Sequence, residues 1–123
     1  MTIEDCESLL NGYRIGPDGA LAESAGNGNG FKLGGSGLRV SHRVRGCTAA
    51  GNKGCGFTSN SNPALDLRAC EAFNNGLHNL TYYYYQARRA RPRKHLAACA
   101  FEDRADFDRE ELAARLLDEY GER

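Results

Sequence analysis

Residues 77–99 read LHNLTYYYYQARRARPRKHLAAC, and the way this stretch folds decides how the rest of the chain is arranged. Leu80 to Gln86 is rich in threonine and tyrosine, residue types that fit a pleated, half-buried surface. Alternation puts Leu80, Tyr82 and Tyr84 on one face, with Thr81, Tyr83 and Tyr85 on the other. The basic residues Arg88, Arg89, Arg91, Arg93 and Lys94 surround Pro92 in a long polar connection, the kind that lies on a surface. Apolar residues return at Leu96 and continue to Phe101. A β-hairpin with a cationic tip is expected, one tyrosine face covering a core and the other open to a partner.

The neighbouring segments supply what this hairpin would pack against. Residues 38–45, LRVSHRVR, alternate strictly, which predicts a strand with Leu38, Val40, His42 and Val44 inward and Arg39, Ser41, Arg43 and Arg45 outward. His42 on the apolar face reads as a hydrogen-bonded interior residue rather than a ligand or catalyst. Asn62 can cap a helix and Pro63 suits its first position, so residues 63–74 are expected to be helical with Leu65, Ala69, Ala72 and Phe73 inside. Asp108 caps a last helix whose buried stripe is Leu112, Ala113, Leu116, Leu117 and Tyr120, with Phe107 and Leu112 bracketing the cap. Near the N-terminus, Ile3, Cys6, Leu9 and Leu10 fall on one helical face, and Gly16-Pro17-Asp18-Gly19 makes the turn of a small hairpin. The expected fold class is α+β: a small antiparallel sheet with two helices packed on one face and a Gly-rich N-terminal extension. One domain covers 1–123, with a short helix, hairpin and Gly-rich loops in 1–37 and a β-α-β-β-α core in 38–121.

The formal net charge of zero hides a strong segregation. Residues 1–31 carry −4, residues 32–94 carry +9 and residues 95–123 carry −5. A basic centre between acidic ends suits an anionic partner, or charges that neutralise each other within the fold. No signal-peptide apolar region and no membrane-length apolar run is present, so a soluble chain is expected, which is also what a mature secreted protein would show.

The five cysteines, Cys6, Cys47, Cys55, Cys70 and Cys99, cannot all pair with one another. Disulfides among Cys47, Cys55, Cys70 and Cys99 are expected ahead of buried thiols, leaving Cys6 able to link two copies as a homodimer. Zinc is disfavoured because no C-x2-C or H-x3-H pair exists, and no metal, cofactor or catalytic residue is assigned. The glycines at 26, 28 and 30 read as flexible connection rather than a phosphate cradle, since a strand follows and not a helix. Cys47 and Lys53 have the spacing of a phosphatase loop but lack the guanidinium fork and the helix start that chemistry needs. Asn79-Leu80-Thr81 is a glycosylation acceptor only in a secretory pathway.

Residues 38–120 resemble the small secreted killer-toxin and effector proteins of fungi and their viruses. The likeness rests on a strand ending Cys47-Thr48-Ala49, a cysteine-bearing helix, a Tyr-Tyr strand, and Cys99-x-Phe101 leading into the last helix. The resemblance implies a secreted protein that binds a host or competitor surface rather than catalysing a reaction, with the cytoplasm as the alternative location. It also makes Arg88-Arg89 and Arg93-Lys94 candidate processing sites. A second reading is a nucleic-acid-binding module, because rings stack on bases while cations neutralise phosphate. A third is a small lectin, since residues 64–76 resemble the cyanovirin repeat. The candidate binding surface common to the first two is Arg39, Arg43, Arg45, Tyr83, Tyr85, Arg88, Arg89, Arg91, Arg93 and Lys94. An enzyme is disfavoured because no His, Cys and carboxylate set has a spacing that implies one geometry.

Overall fold

Cys6, Cys47 and Cys70 are each followed five residues later by an asparagine, Asn11, Asn52 and Asn75, and the three segments fold alike. In a computed structural model, which describes residues 1–18, 20–24, 26–34, 39–59, 62, 64–82, 85–87 and 96–120, each segment turns two corners. The residue before each cysteine (Asp5, Gly46, Ala69) and before each asparagine (Leu10, Gly51, Asn74) has φ between 51° and 67°. A single left-handed residue bends an extended chain sharply, so three-residue strands follow one another with almost no loop between them.

The first coil contains β1 (Thr2–Glu4), β2 (Glu7–Leu9), an outlying hairpin of β3 (Tyr13–Ile15) and β4 (Leu21–Glu23), and β5 (Phe31–Lys32). The second contains β6 (Arg43–Arg45), β7 (Thr48–Ala50) and β8 (Phe57–Thr58). The third contains β9 (Asp66–Arg68), β10 (Glu71–Phe73) and β11 (Leu80–Tyr82), with β12 (Tyr85–Ala87) folded back on it. A fourth coil begins at β13 (Leu96–Ala97), and α1 (Arg109–Tyr120) closes the described chain. Successive coils stack as parallel strands into a first sheet, β1-β6-β9-β13, a second, β2-β7-β10, and a third, β5-β8-β11, with antiparallel β12 at its edge. This is a parallel β-helix. Val44 pairs with Leu67, Ala49 with Ala72 and Phe57 with Leu80, so all three faces keep one register between the second and third coils.

The interior is filled by the same rung positions in turn. Val44, Leu67, Ala49, Ala72, Phe57 and Leu80 are at most 2% exposed, and Phe31 stacks on Phe57 with centroids 4.9 Å apart. Phe101 meets Phe57 edge-on from the fourth coil. Gly56 has to be glycine, because a Cβ there would lie 2.7 Å from both Asn75 Nδ2 and Asn79 O. Helix α1 packs outside the coils: Leu112, Ala113 and Leu116 meet Leu10, Tyr13 and the β3–β4 hairpin. Asp108 caps it, its Oδ1 accepting from Glu110 N at 2.9 Å. Arg109 fastens it to two corners by donating to Gly51 O and Asn74 O.

The small hairpin after Tyr13 and the last helix form as the sequence predicts, but the α+β class with two helices on an antiparallel sheet is overturned. Residues 3–10 and 64–74, both expected to be helical, contribute strands instead. Leu67, Cys70, Ala72 and Asn75 all face inward, at spacings of three, two and three, because each left-handed corner shifts the strand alternation by one. Of the face expected for a helix, Leu65 and Ala72 are buried, but Ala69 is exposed at a corner and Phe73 is only half-buried, while Leu67 is fully buried off that face. The expected central hairpin also changes: β11 turns back at once, Tyr82 pairing with Tyr85, and β13 runs parallel to β9 instead of returning beside β11.

Candidate functional site

The outward face of the first sheet carries charge at every rung position of β1, β6 and β9 except Thr2. In register across the strands lie Thr2, Arg43 and Asp66 in one row, and Glu4, Arg45, Arg68 and Ala97 in the next. Val44 and Leu67 between these rows are fully buried, so the alternation that the sequence predicts for 39–45 holds where β6 is formed. Arg39 and Arg43 are exposed, and Val40 N donates to Asn62 Oδ1 at 3.0 Å, which anchors the segment that carries Arg39. His42 lies beneath, buried, with Nε2 3.4 Å from Gly34 O.

Arg45 and Arg68 stand side by side on neighbouring parallel strands, about 4.8 Å apart at the backbone. Two like charges so placed repel. Asp66 lies between them: its Oδ2 accepts from Arg45 at 3.0 Å and its Oδ1 is 3.5 Å from Arg68 Nε, an ion contact rather than a hydrogen bond. Arg45 donates further to Val44 O and Asp66 O, both at 3.1 Å. These bonds use three of its five donors and hold the guanidinium flat against the sheet. The Arg68 side chain is 55% exposed and reaches into solvent. Neither Asp66 nor Arg68 stands out when residues are read singly, yet Arg45-Gly46-Cys47 and Arg68-Ala69-Cys70 repeat one Arg-x-Cys pattern that would have found them.

A groove of about 600 Å³ lies on the outside of the second sheet, between Glu7, Phe73 and the start of α1. Its rim carries five carboxylates against two guanidiniums, and Arg104 is engaged by Glu71 at 2.7 Å and stacked on the Phe73 ring. An anionic ligand is repelled there and attracted to the first sheet. Of the other sequence-predicted residues, Tyr85 lies in β12, while Tyr83, Arg88, Arg89, Arg91, Arg93 and Lys94 lie outside the described residues.

No cysteine is in a disulfide, which overturns the expected pairing of Cys47, Cys55, Cys70 and Cys99. Cys6, Cys47, Cys70 and Cys99 are instead the same corner residue of four successive coils. Cys6, Cys47 and Cys70 each donate to the carbonyl two residues back, Glu4, Arg45 and Arg68. Cys55 sits elsewhere, with Sγ 3.2 Å from Thr81 Oγ1. Burial pushes the Cys47 thiol up. A hydrogen bond between Cys70 and Cys99 raises Cys70, the donor, and lowers Cys99, the acceptor.

Residues 1–94 match the family model described as Pel9A-like, right handed beta helix region. The chain is 40% identical over 83 residues to the pectate lyase L of Thermoclostridium stercorarium, covering 68% of this chain and 6% of that protein. It is 38% identical over 95 residues to the pectate disaccharide-lyase of Dickeya chrysanthemi, covering 68% of this chain and 13% of that protein. Over 57 residues it is 44% identical to the pectate lyase L of Paenibacillus polymyxa, covering 46% and 13% respectively. The chain thus spans a small fraction of the length of these relatives. No solved structure matches it. The likeness to killer-toxin-type effectors is overturned, and with it the readings as a non-catalytic toxin-like binder, a nucleic-acid-binding module or a small lectin: short motifs and the Tyr/Arg composition of one hairpin carried them, whereas the family model spans three stacked coils. The chain belongs to the Pel9A-like right-handed β-helix family.

Proposed function

We propose that this chain is β-helix from a pectate-cleaving lyase and that the outward face of its first sheet holds the anionic polymer. The observation that carries the reading is the coincidence of the family match with three arginines, Arg43, Arg45 and Arg68, in two adjacent rows of an open parallel sheet. Pectate bears a carboxylate on each sugar, and a guanidinium binds a carboxylate through two parallel N–H bonds. Elimination transfers the proton on the carbon next to that carboxylate to a base, the C–H electron pair forms the new C=C bond, and the bond to the glycosidic oxygen on the adjoining carbon breaks. The charge developing there is delocalised into the carboxylate, so fixed cations around it lower the barrier. Arg43 serves this role from the exposed face, Arg39 is exposed on the segment that leads into it, and Arg45 is held in place before substrate arrives.

Pectate is too large to enter a cell, so the protein is placed outside it, as secretion requires. Among the described residues no helix is long and apolar enough to cross a membrane. The partner is then the polymer itself. Cys6, exposed at the first corner, is the thiol through which two copies could join.

The test is calorimetric titration with de-esterified hexagalacturonate, alongside absorbance of the unsaturated uronide that elimination releases. Binding that weakens with salt, and that is lost with a neutral glucan hexamer, is expected. Equal affinity for the neutral oligomer, or no binding of either, overturns the reading.

A further inference from the structure

We infer that Asp66 is a positioning residue that sets Arg45 and Arg68 as two teeth of a comb, one for each of two neighbouring carboxylates of the polymer; this rests on the pectate reading above. The argument begins with a cost. Register puts Arg45 directly beside Arg68, and nothing in the packing of a β-helix demands a cation at either outward position, since Glu4 and Ala97 occupy the same row on the coils before and after. Two adjacent guanidiniums repel and would splay apart into solvent. Asp66 prevents this. It is displaced by two residues along β9, so its two oxygens address the two cations separately, Oδ2 at 3.0 Å from Arg45 and Oδ1 at 3.5 Å from Arg68 Nε.

The three side chains carry one net positive charge and offer two guanidiniums from neighbouring strands, whose backbones repeat at about 4.8 Å. The ligand class that fits is an extended polyanion with carboxylates repeating at a similar interval and lying across the strands. A single carboxylate gains from one tooth only. A dimer or trimer gains from both at a reduced ordering cost in the protein, because Asp66 hydrogen-bonds Arg45 and keeps Arg68 in ion contact beside it.

The sign of one substitution separates positioning from bulk charge. Asp66→Asn removes a negative charge from an anion-binding face, so charge alone makes anions bind more tightly. Positioning makes the opposite demand: the amide no longer holds both cations, and affinity for trigalacturonate falls about tenfold. The steep rise of affinity from galacturonate to its trimer flattens as well. Asp66→Glu restores part of it. Arg68→Gln changes a half-exposed side chain with no burial at stake, and should flatten the same rise.

The experiment is a titration of the full chain and the three variants with mono-, di- and trigalacturonate, with thermal unfolding measured in parallel. Weaker trimer binding and a flattened length dependence in Asp66→Asn support the inference. Should that variant unfold, Arg68→Gln decides alone by the same flattening. Unchanged or tighter trimer binding in Asp66→Asn, or a retained length dependence in Arg68→Gln, overturns the comb and leaves the pectate reading standing. Absence of any galacturonate binding by the unsubstituted chain removes both.

Discussion

The side-chain amide of Asn52 donates to Asn75 Oδ1 at 2.8 Å, one full coil away, with both residues buried. The bond belongs to a ladder. Asn11 Nδ2 donates to Asn52 Oδ1, Asn75 Nδ2 to Asn79 Oδ1, and Asn79 Nδ2 to Asp103 Oδ1, each within 2.9 Å. An amide is the group this site requires, because it accepts from the coil before and donates to the coil after.

Asn75→Ala should therefore be among the most damaging single changes. It strands the Asn52 backbone N–H, removes one of the two bonds of the Asn52 amide nitrogen while that to Ser8 O stays, and takes from Ala49 O the Asn75 donor. Each orphaned buried group costs about 1–3 kcal/mol, so a loss of roughly 3 kcal/mol or more is expected. Urea unfolding should show a lower midpoint at unchanged slope. Asn75→Asp, nearly isosteric, should not rescue it, since a carboxylate cannot donate to Asn79.

Phe57 lies between Phe31, stacked at 4.9 Å, and Phe101, edge-on at 6.1 Å, and is fully buried. Phe57→Ala opens a void at the meeting point of three coils and should cost about 3–5 kcal/mol. Phe57→Leu fills most of that space and should cost roughly half as much. Equal losses for the two would mean that stacking, not volume, dominates at this rung.

The corners make a prediction of opposite signs. Ala69 holds φ 52°, a conformation that costs a residue with a Cβ about 1–2 kcal/mol, so Ala69→Gly should be neutral or stabilising by up to about 1 kcal/mol. Gly46 occupies the equivalent corner one coil earlier with φ 64°, and a Cβ there would lie 2.5 Å from Asp5 Oδ1. Gly46→Ala should lower stability by about 1–2 kcal/mol once Asp5 has swung aside. Melting temperatures of the two variants moving in the same direction would refute the corner account.

These corners also explain what the sequence concealed. The outward arginines of β6, the interior His42, the hairpin after Tyr13 and the capped helix from Asp108 were all legible, since each follows from local alternation, turn chemistry or capping. The coil repeat is masked, although Cys6, Cys47 and Cys70 share their offset to asparagine. Insertion of the β3–β4 hairpin stretches the first repeat, so Ile3 aligns with Val44 rather than with a residue one coil length on. Left-handed residues with no turn chemistry of their own, Leu10 and Ala69, give no signal of a corner. Asp66 escaped for a related reason: its partners Arg45 and Arg68 meet only when the coils stack.

The cysteine corner predicts a loss of stability in alkali. Cys47 and Cys70 have thiols raised above the ordinary range, Cys47 chiefly by burial and Cys70 by donating to Cys99 and by burial. For both, the neutral form is favoured by folding, so their contribution is complete below the unfolded thiol value of about 8.5 and declines as pH rises beyond it. Cys99, lowered by accepting from Cys70, works in the opposite sense but is one thiol against two. The urea midpoint should thus fall between about pH 8 and pH 10. Cys47→Ala should reduce stability at neutral pH, through the void it leaves in a fully buried site, yet make the alkaline decline shallower. An unchanged decline in that variant would move its cause away from Cys47. Thiol labelling gives an independent check, because exposed Cys6 should react in the folded protein while Cys47 and Cys70 wait for it to open.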